Sequence, residues 1–210
     1  MCYNNQNKTY EFGKRENDMS KVKIKQIQRR SEIIEKVIPL IGSVPFDELS
    51  MAEICKAADI STGSFYHYFT KKSDILVGLL GIIDEYMETE AFACLTSEDE
   101  IENLMIFSRH WALYVDTHGL ERSKLISTIE PAQEDISGEK RITTVKLEEI
   151  MTRGQEKRQI RADLSPEELA QMFLLALRGV TVDWSRVDGR YSVRARMEQY
   201  ISLFVQALKA

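Results

Sequence analysis

Residues 46–76, FDELSMAEICKAADISTGSFYHYFTKKSDIL, constrain this 210-residue chain more than any other stretch. Ser50-x-x-Glu53 has the spacing of a capping box, and Leu49 and Ile54 are placed to staple across it, which predicts a helix over about Met51–Ala58. Asp59-Ile60 reads as a tight turn with Ile60 pointing inward, and Ser61 as the cap of a second helix ending near Phe69. In that second helix Phe65, Tyr68 and Phe69 fall at i, i+3 and i+4 and share one apolar face. Thr62, Gly63, Tyr66 and His67 lie on the opposite side. Thr70 is placed to cap a third helix, through Lys71, Lys72 and Ser73 into Ile75, Leu76, Leu79 and Leu80. A short helix with a buried aromatic side and an outer side of small, hydrogen-bonding residues suits a DNA major groove.

Each outward residue has a chemistry for that task and a plainer alternative. Gly63 lets the helix backbone approach DNA, or packs against the preceding helix. Tyr66 offers a hydroxyl to phosphate or a ring to a sugar or thymine methyl; the alternative is a core tyrosine, although Phe65, Tyr68 and Phe69 already fill the buried side. Thr62 and His67 reach a base edge or a phosphate, or are ordinary surface residues. Lys72 sits in the first turn of a helix, where a cation opposes the helix dipole, so a phosphate is the reason for its presence, against a solvated lysine. Ser50 and Lys71 join this set of candidate contacts. Residues 21–30, KVKIKQIQRR, hold five basic residues and no acidic one, among them Lys25 and Arg29. Such a run follows phosphates or reaches a minor groove, or is a solvated face.

Phe46, Ser50, Ile54, Ala57, Ala58, Ile60, Ser61, Gly63, Phe65, Tyr66, Tyr68, Phe69, Lys72 and Leu76 together resemble the DNA-binding domain of the TetR (tetracycline repressor) family of regulators. The resemblance covers roughly the 50 residues from the first helix into the fourth. Two positions depart from the family pattern. Asp59 stands where the turn commonly has glycine, and Asp tolerates left-handed backbone angles better than most residues. Pro39 falls late in the first helix and is expected to kink it or end it early. In the family the segment before the first helix is an arm that approaches DNA, and the lysine matching Lys72 meets the phosphate backbone.

The chain carries 28 Lys and Arg against 33 Asp and Glu, a net charge of −5 that by itself does not mark a nucleic-acid binder. The distribution does: residues 1–80 hold 12 basic and 10 acidic residues, and residues 81–210 hold 16 and 23. A mildly basic end on an acidic body fits a protein that presents one end to DNA. Cys2, Cys55 and Cys94 are scattered without a CxxC pair, the usage of a reduced, cytoplasmic protein. No apolar run approaches membrane-spanning length. No nucleophile elbow, phosphate loop or metal cluster is present, so neither an enzyme nor a cofactor is expected. Residues 1–19 are polar and read as a disordered leader, with Met19-Ser20-Lys21 resembling a natural start. Residues 20–70 then form the DNA-binding domain and residues 71–210 a helical domain for ligand binding and dimerisation.

That second domain reads as helices throughout, which makes the fold class all-α. Helices are expected over about Ser73–Thr89, from a Ser97-x-x-Glu100 box to His118 with a stop at Gly119, over Leu120–Ile129 ended by Pro131, over Glu139–Arg158, from Ser165 to Trp184, and over Ser192–Leu208. A polar loop runs through Gly138, Gly154 weakens its helix, and Ser165-Pro166-Glu167-Glu168 is the best start signal in the chain.

The long middle helix carries two apolar stripes, one of which is Phe107, Trp111, Tyr114 and His118. Two faces need two things to pack on. The family places its inducer among these helices, so Trp111, Tyr114, His110, His118 and Phe107, with Tyr86, Met87 and Phe92, are the ligand-pocket candidates; the alternative for each is plain core packing. The last two helices show broad apolar faces, and the family joins such a pair in a homodimer, which nominates Phe173, Leu177, Val180, Trp184, Tyr200 and Phe204 for the seam. The alternative is the interior of a monomer. The resemblance therefore implies a homodimeric, ligand-responsive repressor that leaves a palindromic double-stranded operator when a small, partly apolar effector binds. The other open reading is a helical protein that binds a small molecule or partner and no operator.

Overall fold

The structure is a computed structural model that describes residues 25–26, 28–41, 44–126 and 140–210. Lys21, Lys23, the leader at 1–19 and the polar loop through Gly138 lie outside the described residues. Eight α-helices carry the described chain: α1 over residues 28–41, α2 Met51–Ala58, α3 Thr62–Tyr68, α4 Asp74–Tyr86, α5 Glu100–Ile126, α6 Ile142–Glu156, α7 Pro166–Arg186 and α8 Val193–Leu208. The described residues fall into two compact units, the first ending at Gly78 and the second beginning at Leu79, so the division lies inside α4.

In the first unit α1 already includes residues 28–30. Arg29 and Arg30 therefore sit on a helix and not on an arm before it, as their helix-compatible neighbours allow. Helix α1 runs two residues past Pro39, whose side chain is exposed. Ser50 caps α2 with a complete capping box: its hydroxyl accepts from Glu53 N, and Glu53 Oε2 accepts from Ser50 N at 2.8 Å. Asp59 takes the left-handed conformation at φ 56°, ψ 51°. There Asp59 N bonds Lys56 O and Ile60 N bonds Cys55 O, the paired bonds of a Schellman turn. Helix α4 opens at Asp74 rather than under a Thr70 cap. The Asp74 carboxylate reaches back and accepts from Thr70 N at 2.8 Å and Lys71 N at 3.0 Å.

The second unit packs α5 against α7 and α8, with α6 against α7. Helix α4 does not continue to Thr89. It gives way to a π-helical turn at Met87–Ala91 and a 3-10 turn at Phe92–Cys94. The Ser97–Glu100 box does not form: Asp99 Oδ1 accepts from Ile101 N at 2.8 Å, while the Ser97 hydroxyl accepts from Asp99 N. Glu100, freed from capping, is 1% exposed and meets Arg153, Lys157 and Asn103. Burial pushes its carboxyl up, but the three hydrogen bonds outweigh that and hold it at about 2.

Gly119 stops the first part of α5 as expected, at φ 82°, and a second helical stretch follows it directly to Ile126. Gly154 is not a weak point. A Cβ there would lie 2.4 Å from Ile160 Cδ1, so the glycine is what lets the loop after α6 close on the helix. The Ser165–Glu168 box is complete, with Pro166 leading α7. The Asp188–Gly189 turn has both residues at positive φ, and Ser192 caps α8.

Candidate DNA-reading surface and effector core

The two faces of α3 separate cleanly. Phe65 and Phe69 are buried and stack at 4.9 Å, and Tyr68 is half-buried. Thr62, Gly63, Ser64, Tyr66 and His67 are exposed, with Tyr66 at 55% although its ring meets Phe65 edge-on at 5.5 Å. Among the described residues nothing covers that ring beyond this edge contact. A Cβ built on Gly63 would come no nearer than 3.9 Å, to Ser61 Oγ. Among the described residues, nothing packs closely on Gly63. Ser64 shares this face. Its period along the helix could have nominated it, but its hydroxyl is engaged with Ser61 Oγ at 2.9 Å.

The other candidate contacts differ in how free they are. Lys72 turns inward: its ammonium donates to Phe46 O at 2.8 Å, Leu49 O at 3.0 Å and Asp47 O at 3.1 Å, and lies 4.8 Å from the Phe46 ring centre. All three protons are used, so the cation earns its place at a helix start by tying α4 to the 46–49 turn and not by waiting for phosphate. The Ser50 hydroxyl is likewise spent on Glu53 at 2.6 Å. Arg29 pairs with Glu32 at 2.6 Å on an exposed surface, where such pairs exchange readily with solvent or phosphate. Lys25 and Lys71 are exposed.

The effector candidates all lie in the second unit and cluster around α5. Phe107, Trp111, Tyr114 and Met87 are buried. Phe107 stacks on Phe92 at 6.3 Å and meets Phe173 edge-on at 6.4 Å. Trp111 Nε1 donates to Thr181 Oγ1 at 3.2 Å. Tyr114 is the hub of a polar aromatic group: Tyr86 lies 5.1 Å away, His118 stacks at 4.1 Å, and Arg122 donates to the Tyr114 hydroxyl at 2.9 Å. The Gly119 break is what brings Arg122 back onto Tyr114. Burial pushes the Tyr86 hydroxyl up, and Glu90 and Cys94 add to it. His118 is exposed and donates from Nδ1 to Tyr114 O at 2.9 Å, while His110 Nδ1 is buried and meets no hydrogen-bond partner among the described residues. Among the described residues no three His, Cys, Asp or Glu side chains gather as metal ligands.

Of the residues expected at a seam on α7 and α8, several turn inward. Phe173, Leu177 and Trp184 are buried within the second unit; Phe173 packs on Phe107 and Phe204, and Trp184 Nε1 donates to Tyr191 O. A broad apolar helix has residues enough to cover its own core and still present a second stripe. That stripe is Met172, Leu175 (70% exposed), Tyr200 and Leu203 (75% exposed). Between the helices runs a groove of about 520 Å³, with Ala176, Gly179, Val180, Tyr200 and Phe204 in its lining.

The family model described as bacterial regulatory proteins of the tetR family matches residues 33–79, from α1 into α4. Over that segment the chain is matched to the TetR family of bacterial regulatory proteins. It is similar to the fatty acid metabolism regulator protein of Bacillus subtilis (strain 168), at 22% identity over 187 residues, covering 84% of this chain and 94% of that one. The fatty acid degradation regulator FadR of Bacillus halodurans has the same fold, with a TM-score of 0.69 at 19% identity over 84% of this chain and 94% of that chain. FadR of Bacillus subtilis, solved in complex with stearoyl-CoA, superposes with a TM-score of 0.63 at 21% identity over 85% and 98% of the two chains. The matched segment contains α2, α3 and the whole outward face of α3. No described helix is long and apolar enough to cross a membrane.

Proposed function

We propose that this TetR-family chain is a homodimeric repressor whose α3 reads operator DNA and whose second unit binds a partly apolar effector that releases it. The observation that carries the DNA half is α3: five exposed positions on its outer side, an exposed tyrosine and a glycine whose built Cβ would meet only Ser61 Oγ, at 3.9 Å. Thr62, Gly63, Tyr66 and His67 are the reading residues, with Lys25, Arg29 and Lys71 supplying salt-sensitive phosphate contact. Lys72 and Ser50 act beneath them, holding the 46–50 segment in shape.

For the effector, the names of the relatives point to fatty acid metabolism, and the FadR complex holds stearoyl-CoA. We assign a long-chain acyl-CoA as the effector class, to be met by Tyr86, Met87, Phe92, Phe107, Trp111, Tyr114, His110 and His118. Release requires that the acyl-CoA prefer the conformation that binds DNA poorly, since equal affinity for both shifts nothing.

The dimer forms through the outward stripe of α7 and α8. Gly179 has nothing within 4 Å of a built Cβ, so a partner helix can cross closely there. A two-fold dimer reads two half-sites, which makes the operator palindromic. The protein works in the cytoplasm as a regulator and not as an enzyme, in keeping with a family made up of transcriptional regulators.

Fluorescence anisotropy on a duplex selected by the protein from random-sequence DNA tests both halves. Binding should weaken with salt, fall about tenfold in Tyr66→Ala with the fold intact, and be reversed by stearoyl-CoA but not by coenzyme A alone. A wild-type chain that selects no duplex, yet still binds acyl-CoA, would be a ligand-binding protein without an operator.

A further inference from the structure

The groove between α7 and α8 is apolar along most of its length and charged at one end. Met172, Ala176 and Phe204 line the apolar part, and Asp183, Tyr191 and Arg196 line the other end. Asp183 lies one helical turn beyond Gly179 on α7, and Arg196 one turn before Tyr200 on α8, so the two charges stand on neighbouring helices at the end where the chain turns from one to the other.

Tyr191, in that turn, holds both charges without joining them. Its backbone is fixed by the Trp184 indole, which donates to Tyr191 O at 2.8 Å. Its hydroxyl donates to Asp183 Oδ2 at 2.6 Å, and the Arg196 guanidinium lies 4.5 Å from its ring centre. Burial, with the Asp183 carboxylate beside it, pushes the hydroxyl up to about 12, so it stays a proton donor at neutral pH. Asp183 and Arg196 are both exposed and, among the described residues, form no ion pair with each other or with any other charge.

A patch with one charge of each sign, neither paired within its own chain, is its own electrostatic complement. Turned about a two-fold axis it sets Asp183 against Arg196 and Arg196 against Asp183, the reciprocal contact of an isologous interface. With a partner helix crossing at Gly179, Asp183 stands about 6 Å along α7 from the crossing, within reach of an arginine from the other chain. A partner of different sequence has to supply both signs at the same spacing, whereas a second copy does so by symmetry. An apolar ligand in the middle of the groove would leave both charges without a role.

We propose that Asp183 and Arg196 are the residues by which this chain selects a second copy of itself: across the two-fold each Asp183 pairs with Arg196 of the partner subunit, and Tyr191 positions both. The proposal rests on the homodimer reading above. An apolar stripe attracts any apolar surface, but like charges set opposite one another exclude a chain that lacks the pattern.

The test uses the full chain and follows self-association by sedimentation equilibrium, with native mass spectrometry to identify mixed pairs. Asp183→Arg puts two cations at this end of the groove, and Arg196→Asp puts two anions there. Each variant alone should dimerise about tenfold more weakly than the wild type or worse, with helix content unchanged. Each defect should shrink in about 1 M salt, which screens the repulsion. Mixed together, the two variants should prefer each other to themselves, because the mixed dimer restores both pairs. Single variants that dimerise as the wild type does overturn the proposal. So does weak self-association that neither mixing nor salt repairs, which is general destabilisation of the face. A wild type that stays monomeric removes the homodimer reading and this proposal together, an outcome distinct from a dimeric wild type whose charge reversals change nothing.

Discussion

The indole N–H of Trp111 donates to the hydroxyl of Thr181 at 3.2 Å, and that hydroxyl donates onward to Leu177 O at 3.0 Å. The pair ties α5 to α7 through the middle of the second unit, with both side chains buried. Thr181→Val keeps the shape and removes the acceptor, which leaves the indole N–H unsatisfied. Urea unfolding should show a loss of about 1–3 kcal/mol. A loss within about 0.5 kcal/mol, the range of an ordinary surface change, would mean that water or a ligand reaches the indole.

Lys72 separates a structural lysine from a phosphate-binding one. Its ammonium is committed to the carbonyls of Phe46, Asp47 and Leu49. Lys72→Ala should weaken operator binding by loosening the first unit while leaving the salt dependence of that binding as in the wild type. A lysine that neutralised a phosphate would instead lower the salt slope by about one. Binding titrated across a range of salt concentrations decides between them.

The pH dependence of stability should carry the mark of Glu100. Its carboxyl is held at about 2 in the folded chain, below the ordinary value. A depressed carboxyl stabilises the fold above its unfolded pKa, and that contribution is lost as pH falls toward the folded value. Glu100→Gln should therefore unfold more easily than the wild type by on the order of 3 kcal/mol at neutral pH. The gap should close between about pH 4.5 and pH 2. A gap that persists unchanged at pH 2 would show that the loss comes from packing and not from charge.

Leu175 and Leu203 are the most exposed large apolar side chains on α7 and α8. Leu175→Glu with Leu203→Glu should convert the dimer to a monomer in sedimentation, because a carboxylate pair cannot be buried against its own copy. Helix content should stay unchanged. A dimer that survives both substitutions places the seam on another surface.

Much of this fold was legible because helix starts are written in a few neighbouring residues. Ser50 with Glu53, Ser61 ahead of Ser64, and Ser165 with Pro166 and Glu168 all cap as their spacing implies. The two faces of α3 were legible for the same reason, since 3.6-residue periodicity is local. What escaped was the choice of partners across distance. Glu100 had the spacing of a capping residue and went instead to Arg153, 53 positions away. Lys72 had the look of a phosphate ligand and found carbonyls 23–26 positions back. On α7, Phe173 and Leu175 are both apolar, and no spacing rule says which turns toward Phe107 and which toward the outside. The pairing of Arg141 Nε with Asp84 Oδ2 at 2.9 Å left no trace in the sequence, because an arginine at a helix start reads as an ordinary surface cation.

The apolar stripe on α7 and α8 makes this protein's persistence a matter of abundance. In the proposed dimer a second copy covers that surface, so the melting temperature should climb as the chain is concentrated. A regulator paired through this stripe would answer to its own supply.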